Sequence, residues 1–588
     1  MNEKNLIIGL SSMNLADSEQ EAEEKYQKVY KPFLRELYNF PEIKAVLHFS
    51  GVLLEWFNDK HPEVLMLLEE LVKKRKQVEI LGGGFYEPLF PMLSAQDRSG
   101  QLEALTTLLR KKFGKRPRGC WIPGNYWDNS LILPIKNSGM DYIFLDYDFL
   151  DTGIENNDDI YSTFITEDSG KLINVFPVHA SLAALDSSDV NSFIEMLKIR
   201  GNGDDSIISL IFSDSDIENK SEKWFEDFFS QIQSDRDLKI TNPSLYLKKI
   251  QKYSKIYIQN SDYYKKTFSD CYYINLLYAR MVHVQTLINQ IRGDKYKKKS
   301  AVESLWAGQN YFSYTTNHFK EDDITGKMQN RAKTYRNLIE AEILTRQKGV
   351  FIPSLFKSDF DMDGFDEFLY LGEDYNAFVH LEGGAVFELD SLKEKWNYCD
   401  IVNYSENSLS FKKSCCDYFI ENDKEYNSIQ EFIDCDIAGI AEKEYSINSF
   451  EREQKTLSIS IRVKNSEKTF SFKLVKKYRF LKKKFDVSYS IINTGSTVIN
   501  HKFGVNILLS LFYSNGDDRN NKIKKTSNTI QLDDSFSGIL IKSDRDADIC
   551  HEEECKNGIY CYTSVMPVFD IISLEPGKSW ENRIEIRV

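Results

Sequence analysis

Over the first 260 or so residues, short apolar runs alternate with amphipathic stretches. The runs Leu6–Leu10, Ala45–Phe49, Val78–Leu81, Tyr142–Leu145 and Ile207–Phe212 are each only long enough for one buried strand. The stretches between them carry helical spacing. Leu65, Leu68, Leu71 and Val72 recur every three or four residues behind Pro62, a residue suited to a first helical turn. Leu102, Leu105 and Leu109 follow Ser94 and Asp97, which stand at capping-box spacing. Strands separated by helices predict a parallel sheet, and the number of units predicts closure into a barrel. The polar, acidic segments Glu155–Asp159 and Ser187–Asp205 read as long surface loops.

From about Asp262 to Gln347 the pattern is helical with few breakers, as in ARMVHVQTLINQI and RAKTYRNLIEAEILT, and predicts a helical bundle. After Pro353 the period changes to two. Leu457, Ile459, Ile461 and Val463 alternate with polar residues, as do Phe485, Val487, Tyr489 and Ile491, and the second run ends in the turn Asn493-Thr494-Gly495-Ser496. This predicts a C-terminal β-sandwich. The expected fold class is α/β plus β: a barrel over 1–261, a bundle over 262–347 and a sandwich over 348–588.

Composition excludes several function classes. The 588-residue chain has 41% hydrophobic and 28% charged residues, an ordinary globular mixture. Its formal charge of −14 argues against nucleic acid or anionic membrane as a partner, since the field of the whole protein repels a polyanion. No run approaches the ~18–20 apolar residues of a membrane span. The apolar run near the start is too short for a signal-peptide core, so the chain reads as soluble and cytoplasmic. Nine scattered cysteines without C-x-x-C indicate neither a disulfide framework nor a zinc ribbon, and eight dispersed histidines form no metal motif. No cofactor or metal is expected; an oligomer is compatible with the sequence.

In a parallel barrel, chemistry sits just beyond the C-terminal end of each strand. Those positions hold Ser11-Ser12-Met13-Asn14, then Gly82-Gly83-Gly84-Phe85-Tyr86-Glu87 behind Glu79, then Trp121 to Asp128, and Ser213-Asp214-Ser215-Asp216. Carboxylates beside flat aromatic surfaces suit a sugar site, with acids for glycosidic chemistry and rings for the apolar face of a pyranose.

The segments KYQKVYKPFLRELYNFPEIKAVLHFSGVLLEWF, QVEILGGGFYEP, RPRGCWIPGNYWDNSL, YRNLIEAE, DFDMDGFDEFLYL and GGAVFELD, in this order, resemble glycoside hydrolase family 57, in particular its 4-α-glucanotransferase and α-amylase-like members. The resemblance implies a distorted (β/α)7-type barrel followed by the bundle and the β-sandwich. It also implies retaining chemistry on α-1,4-glucan, with a glutamate nucleophile and an aspartate general acid whose carboxyl groups lie about 5 to 5.5 Å apart. The general-acid position falls on Asp214. The nucleophile position falls on Gly124, which has no side chain to form a glycosyl ester.

Both tryptophans of that motif, Trp121 and Trp127, hold the frame. The family's first-strand histidine pattern falls on Ser11 to Leu15 with its defining side chains absent, and the late aromatic pattern falls on Asn310 to Asn317, where Tyr314 alone matches. By the same resemblance Glu79, Glu87, Tyr86 and Trp121 are substrate-binding candidates. Each also has a structural reading, as loop-shaping or core residues.

Three functional readings follow. The first is a catalytically silent relative that binds α-glucan or maltooligosaccharide or regulates a partner. The second is an enzyme with an inverting mechanism, in which a water in the space at Gly124 is activated by Asp128, Glu87 or Asp216 and Asp214 is the acid. The third is a structural protein without glucan affinity. Separately, Asp359, Asp361, Asp363 and Gly364 reproduce the start of an EF-hand loop, but its twelfth position is Tyr370 and not a bidentate glutamate. That spacing predicts an Asx-rich turn without calcium.

Overall fold

The computed structural model describes residues 4–588 apart from 17, 148–149, 151–160, 186–188, 201–205, 251–253, 262, 316–323, 347–348, 406–407, 466–469, 514–521 and 558. Packing divides the chain into two compact units, Met1–Lys266 with Gln309–Tyr314, and Thr267–Gly308 with Thr315–Val588.

In the first unit the apolar runs become strands β1 (Lys4–Ser12), β2 (Ala45–Phe49), β3 (Val78–Ile80), β5 (Tyr142–Asp146) and β8 (Ile207–Ser213). The periodicity did not reveal β4 (Gly119–Trp121) or β7 (Lys171–Val178), which pairs antiparallel with β6 (Phe164–Asp168). β4 is too short to show a period, and Pro177 interrupts the reading of β7 as a strand. β3, β2, β1 and β8 form a parallel sheet in that order, to which β9 (Leu238–Ile240) adds beside β1. β4, β5 and β7 are parallel neighbours in a second sheet.

Two junctions connect the sheets. The Gly82 and Trp121 amides donate to Gly119 O (2.8 Å) and Gly82 O (2.9 Å), and the His179 amide donates to Ser209 O (3.2 Å). Hydrogen bonds therefore pass along β1-β2-β3-β4-β5-β7-β8 and return to β1. The ends of β1, β4 and β8, and the turn after β3, are the segments that carry the candidate chemistry.

Helices cover this unit as the spacing predicts, over Pro62–Glu69 and Ala95–Phe113. One expectation is corrected. Within the segment read as a loop from Ser187 to Asp205, Val190–Lys198 is a helix. Val190, Phe193, Ile194 and Leu197 recur at helical spacing and are buried, and the Asp189 carboxylate accepts the Asn191 (3.2 Å) and Ser192 (3.1 Å) amides as an N-cap. Acidic flanks had hidden a short apolar stripe. The segment Glu155–Asp159 lies outside the described residues.

The second unit holds helices Tyr272–Gln290, Lys295–Ala307 and Ile324–Thr345 together with antiparallel sheets. One sheet runs β11 (Ser354–Ser358), β12 (Glu367–Leu371), β13 (Tyr375–His380), β14 (Ala385–Ser391) and β15 (Trp396–Asn397). Two more have four and eight strands. The period-two runs fall on strands Thr456–Asn465 and Lys484–Asn493, with Leu457, Ile459, Val463, Phe485, Val487, Tyr489 and Ile491 in one core. Helix and sheet meet at fully buried Arg280, whose guanidinium donates to Glu342 and Asp390 (2.5 and 2.8 Å) and contacts Glu388 (2.9 Å). Among the described residues no helix is long and apolar enough to cross a membrane.

Candidate active site

β8 delivers Asp214 to the first position of helix Asp214–Glu218. A capping box fixes that position. The Ser213 hydroxyl accepts the Asp216 amide (3.2 Å), and the Asp216 carboxylate accepts the Ser213 amide (2.7 Å). Ser12, at the end of β1, and Tyr30 both reach Asp214 Oδ2, at 2.9 and 3.0 Å, and lie 2.8 Å from each other. Asn14 Nδ2 donates to the Tyr30 hydroxyl (3.2 Å).

With Asp214 ionised, two hydroxyl protons must serve three contacts; the neutral acid supplies the third. Burial drives the same way and pushes the Asp214 carboxyl up to about 6, against the opposing effects of Lys25, Ser12 and Tyr30. Its Oδ1 is shielded from solvent and has no partner among the described residues. Burial is thus what favours the neutral Asp214, while Ser12 and Tyr30 fix its position.

Gly124 lies in the turn after β4 with φ +61 and ψ 10. A Cβ there would fall 2.7 Å from Tyr126 Cε2 and 3.1 Å from Tyr311 Cε2. Two tyrosine rings therefore crowd the position that a β-carbon would take there. The bases offered for a water at that turn have other partners. Asp128 caps the next turn by accepting the Ser130 amide (2.9 Å), Asp216 completes the capping box, and Glu87 faces His48.

Glu87 and His48 are fully buried, with Glu87 Oε1 2.9 Å from His48 Nε2. Burial raises the Glu87 carboxyl, opposed by the His48 charge. Glu87 sits at φ +48, and its carbonyl accepts the Tyr311 amide (2.8 Å). Trp121 is a core residue, 9% exposed, stacked on His48 and packed among Ile7, Val46, Leu81, Tyr142 and Phe144. Tyr86 is half-buried against the core, its amide donating to Gln101 Oε1 (3.1 Å).

Glu79 accepts hydrogen bonds from Tyr142 OH (2.8 Å) and Ser244 Oγ (2.5 Å). It lines a cavity of about 240 Å³ together with Lys76, Lys115, Arg116 and Arg118. Those residues flank the starts of β3 and β4, so this cavity lies where the strands begin, and Asp214 where they finish. The structure thus joins Gly124 to Tyr126 and Tyr311, and Trp121 to His48 and Glu87, and sets Glu79 apart.

Sequence reasoning missed Tyr30, His48 and Tyr311. His48 had one local signal, a polar residue in the apolar run Ala45–Phe49. The late pattern is described through Thr315; Thr316 and Asn317 lie outside the described residues.

Metal-capable groupings occur in the second unit. Asp359, Asp361 and Glu367, and likewise Asp361, Asp363 and His380, bring ligand atoms within 4.8 Å of one another. They belong to the loop between β11 and β12 and to the end of β13. Burial, with Asp361 and Asp363 nearby, pushes the Glu367 carboxyl up to about 8.

Comparison with known proteins bears on the first unit most directly. Residues 11–259 match the model of glycosyl hydrolase family 57. The match takes in under half of the chain, so it is a similarity of the first unit to that family. It is 29% identical over 428 residues to a 4-α-glucanotransferase of Thermococcus kodakarensis, covering 65% of this chain and 63% of that protein. It is also 29% identical over 421 residues to an α-amylase of Pyrococcus furiosus, covering 65% and 64%. These alignments span less than two thirds of either relative. The crystal structure of the Thermococcus litoralis 4-α-glucanotransferase superposes over the whole of both chains with a TM-score of 0.84 at 21% identity, a likeness of fold. The family 57 resemblance of the sequence motifs is thereby supported at the level of family and fold.

Proposed function

We propose that this protein is a catalytically silent family 57 member that binds α-1,4-glucan without cleaving it. Its first unit is read as the distorted seven-stranded barrel that the family resemblance implies, followed along the chain by bundle and sandwich. The observation that carries the reading is the turn at Gly124. Where the family resemblance places an attacking carboxylate, a left-handed glycine lies under the rings of Tyr126 and Tyr311. Glu87, from the neighbouring turn, is fully buried against His48. An acid without a nucleophile protonates nothing that leaves: removing a nucleophile from a catalytic unit costs on the order of 10⁴-fold or more in rate. α-Glucan is the ligand class because the curated relatives are 4-α-glucanotransferase and α-amylase.

The test is to incubate pure protein with maltoheptaose and to run it through amylose and glycogen gels. The expected result is no hydrolysis or transglycosylation above buffer, together with retarded migration. Turnover abolished by Asp214→Asn would overturn the silent reading, and unretarded migration would overturn glucan binding. One observation favours a second reading, an enzyme of altered mechanism: the Asp214 carboxyl is held near 6, suitable for a general acid. Its signature would be release of products with inverted anomeric configuration.

A further inference from the structure

The loop between β11 and β12 brings acids together for which neither glucan binding nor the sandwich core provides a use. Two left-handed residues, Met362 (φ +65) and Gly364 (φ +95), curl it. The Gly364 amide donates to Asp359 Oδ2 (3.1 Å), the Phe365 amide to Asp363 Oδ1 (2.8 Å) and the Phe360 amide to Glu367 Oε2 (2.7 Å). Tyr272, on helix Tyr272–Gln290, donates its hydroxyl to Asp361 Oδ2 (2.7 Å), and Asn275 Nδ2 donates to the Asp361 carbonyl (2.8 Å). Four of these bonds go to carboxylate oxygens, and Glu367 also accepts a backbone hydrogen bond from Asp361. Asp361 is 2% exposed, and its Oδ1 is buried with no hydrogen-bond partner among the described residues. A buried carboxylate oxygen without a donor is costly unless something positive meets it.

We propose that Asp359, Asp361 and Glu367 form a binding site for one calcium ion. Their ligand atoms lie within 4.8 Å of one another, a span that one ion can bridge with bonds of about 2.3–2.6 Å. Oxygen donors and the absence of thiolates from the group select a hard cation. His380 is the alternative ligand, but its Nδ1 accepts the Glu382 amide (2.9 Å), so in the neutral ring the proton lies on Nε2. That nitrogen, 3.7 Å from Glu367 Oε1, faces the carboxylates as a donor and offers no lone pair to a metal. Asp363 borders the site and adds negative charge.

The EF-hand spacing failed at Tyr370, and the structure supplies a carboxylate in another way. Glu367, ninth counting from Asp359, opens β12 and returns to the loop as 1% exposed side chain. Bound calcium would tie β11, β12 and helix Tyr272–Gln290 together within the second unit.

The experiment uses the full chain, dialysed against EDTA and then chelator-free buffer, titrated with calcium chloride by calorimetry and followed by thermal melting. One saturable equivalent and a rise in melting temperature are expected. Asp359→Asn, at an exposed position that keeps the Gly364 hydrogen bond, is expected to weaken binding at least tenfold, and Glu367→Gln to abolish it. Asp366→Asn, on the same loop outside the proposed ligand set, is expected to bind as the parent does. No calcium response in the parent protein, or parent-like affinity in Asp359→Asn and Glu367→Gln, overturns the assignment.

Discussion

Gly124 is under two constraints, and they determine what a substitution there can do. A non-glycine residue in the left-handed region costs roughly 1–2 kcal/mol, and overpacking a filled site costs roughly 1–3 kcal/mol more. Gly124→Glu is therefore expected to destabilise the protein by about 2–5 kcal/mol, read from the urea midpoint, and to restore no maltoheptaose turnover. Asp214 makes a pH prediction. Its folded value of about 6 exceeds the ordinary carboxyl value of 3.8, so the folded state binds more protons between those limits and stability falls as pH rises through them. Asp214→Asn removes that penalty. Relative to the parent, the variant should gain up to about 3 kcal/mol at pH 7.5 and progressively less toward pH 4, in a pH series of unfolding midpoints; a pH-independent difference would refute the buried-acid account. Both positions were legible in the sequence because a motif frame located them. The residues that hold them, Ser12 with Tyr30 and Tyr126 with Tyr311, were legible only as letters.

At the scale of elements, periodicity and capping did most of the work. Helix Ala95–Phe113 begins where Ser94 Oγ accepts the Asp97 amide (3.2 Å) and ends at left-handed Gly114 (φ +70), as its start signal implied. Ser94→Ala should cost about 1 kcal/mol, measurable as a shift in melting temperature. Helix Val190–Lys198 went unread because its apolar stripe spans barely two turns between acidic flanks. Its contribution is nonetheless large: Phe193 is buried against Trp224 and Phe228, with ring centroids 5.4 and 5.8 Å apart. Phe193→Ala is expected to destabilise by roughly 3–5 kcal/mol, which chemical unfolding followed by tryptophan fluorescence would register. In the loop between β11 and β12 the twelfth position of the local template is Tyr370, while the chain curls to present Glu367, the ninth.

For the whole molecule, the net charge of −14 predicts no retention of the protein on heparin at physiological salt. Inside the second unit the same excess of acid is neutralised locally, at buried Arg280 among Glu342, Glu388 and Asp390. Arg280→Met would leave Glu388 and Asp390 buried without their cation, Glu342 keeping Arg346, and is expected to cost roughly 3–5 kcal/mol, seen as a lowered melting temperature at pH 7. By itself, the order of apolar and polar residues determined which segments are strands or helices and where the period changes from α/β to β; the motif frame added that a glycine stands where the family resemblance implies a nucleophile. Tertiary structure alone decided that Tyr126 and Tyr311 crowd a β-carbon at Gly124, that Asp214 is buried against Ser12 and Tyr30, 202 and 184 residues away, and that Glu79 belongs to a different cavity. Periodicity encodes which face of an element is buried, because burial depends on one residue's own chemistry. It does not encode what that face meets, because the partner is set by how distant elements pack.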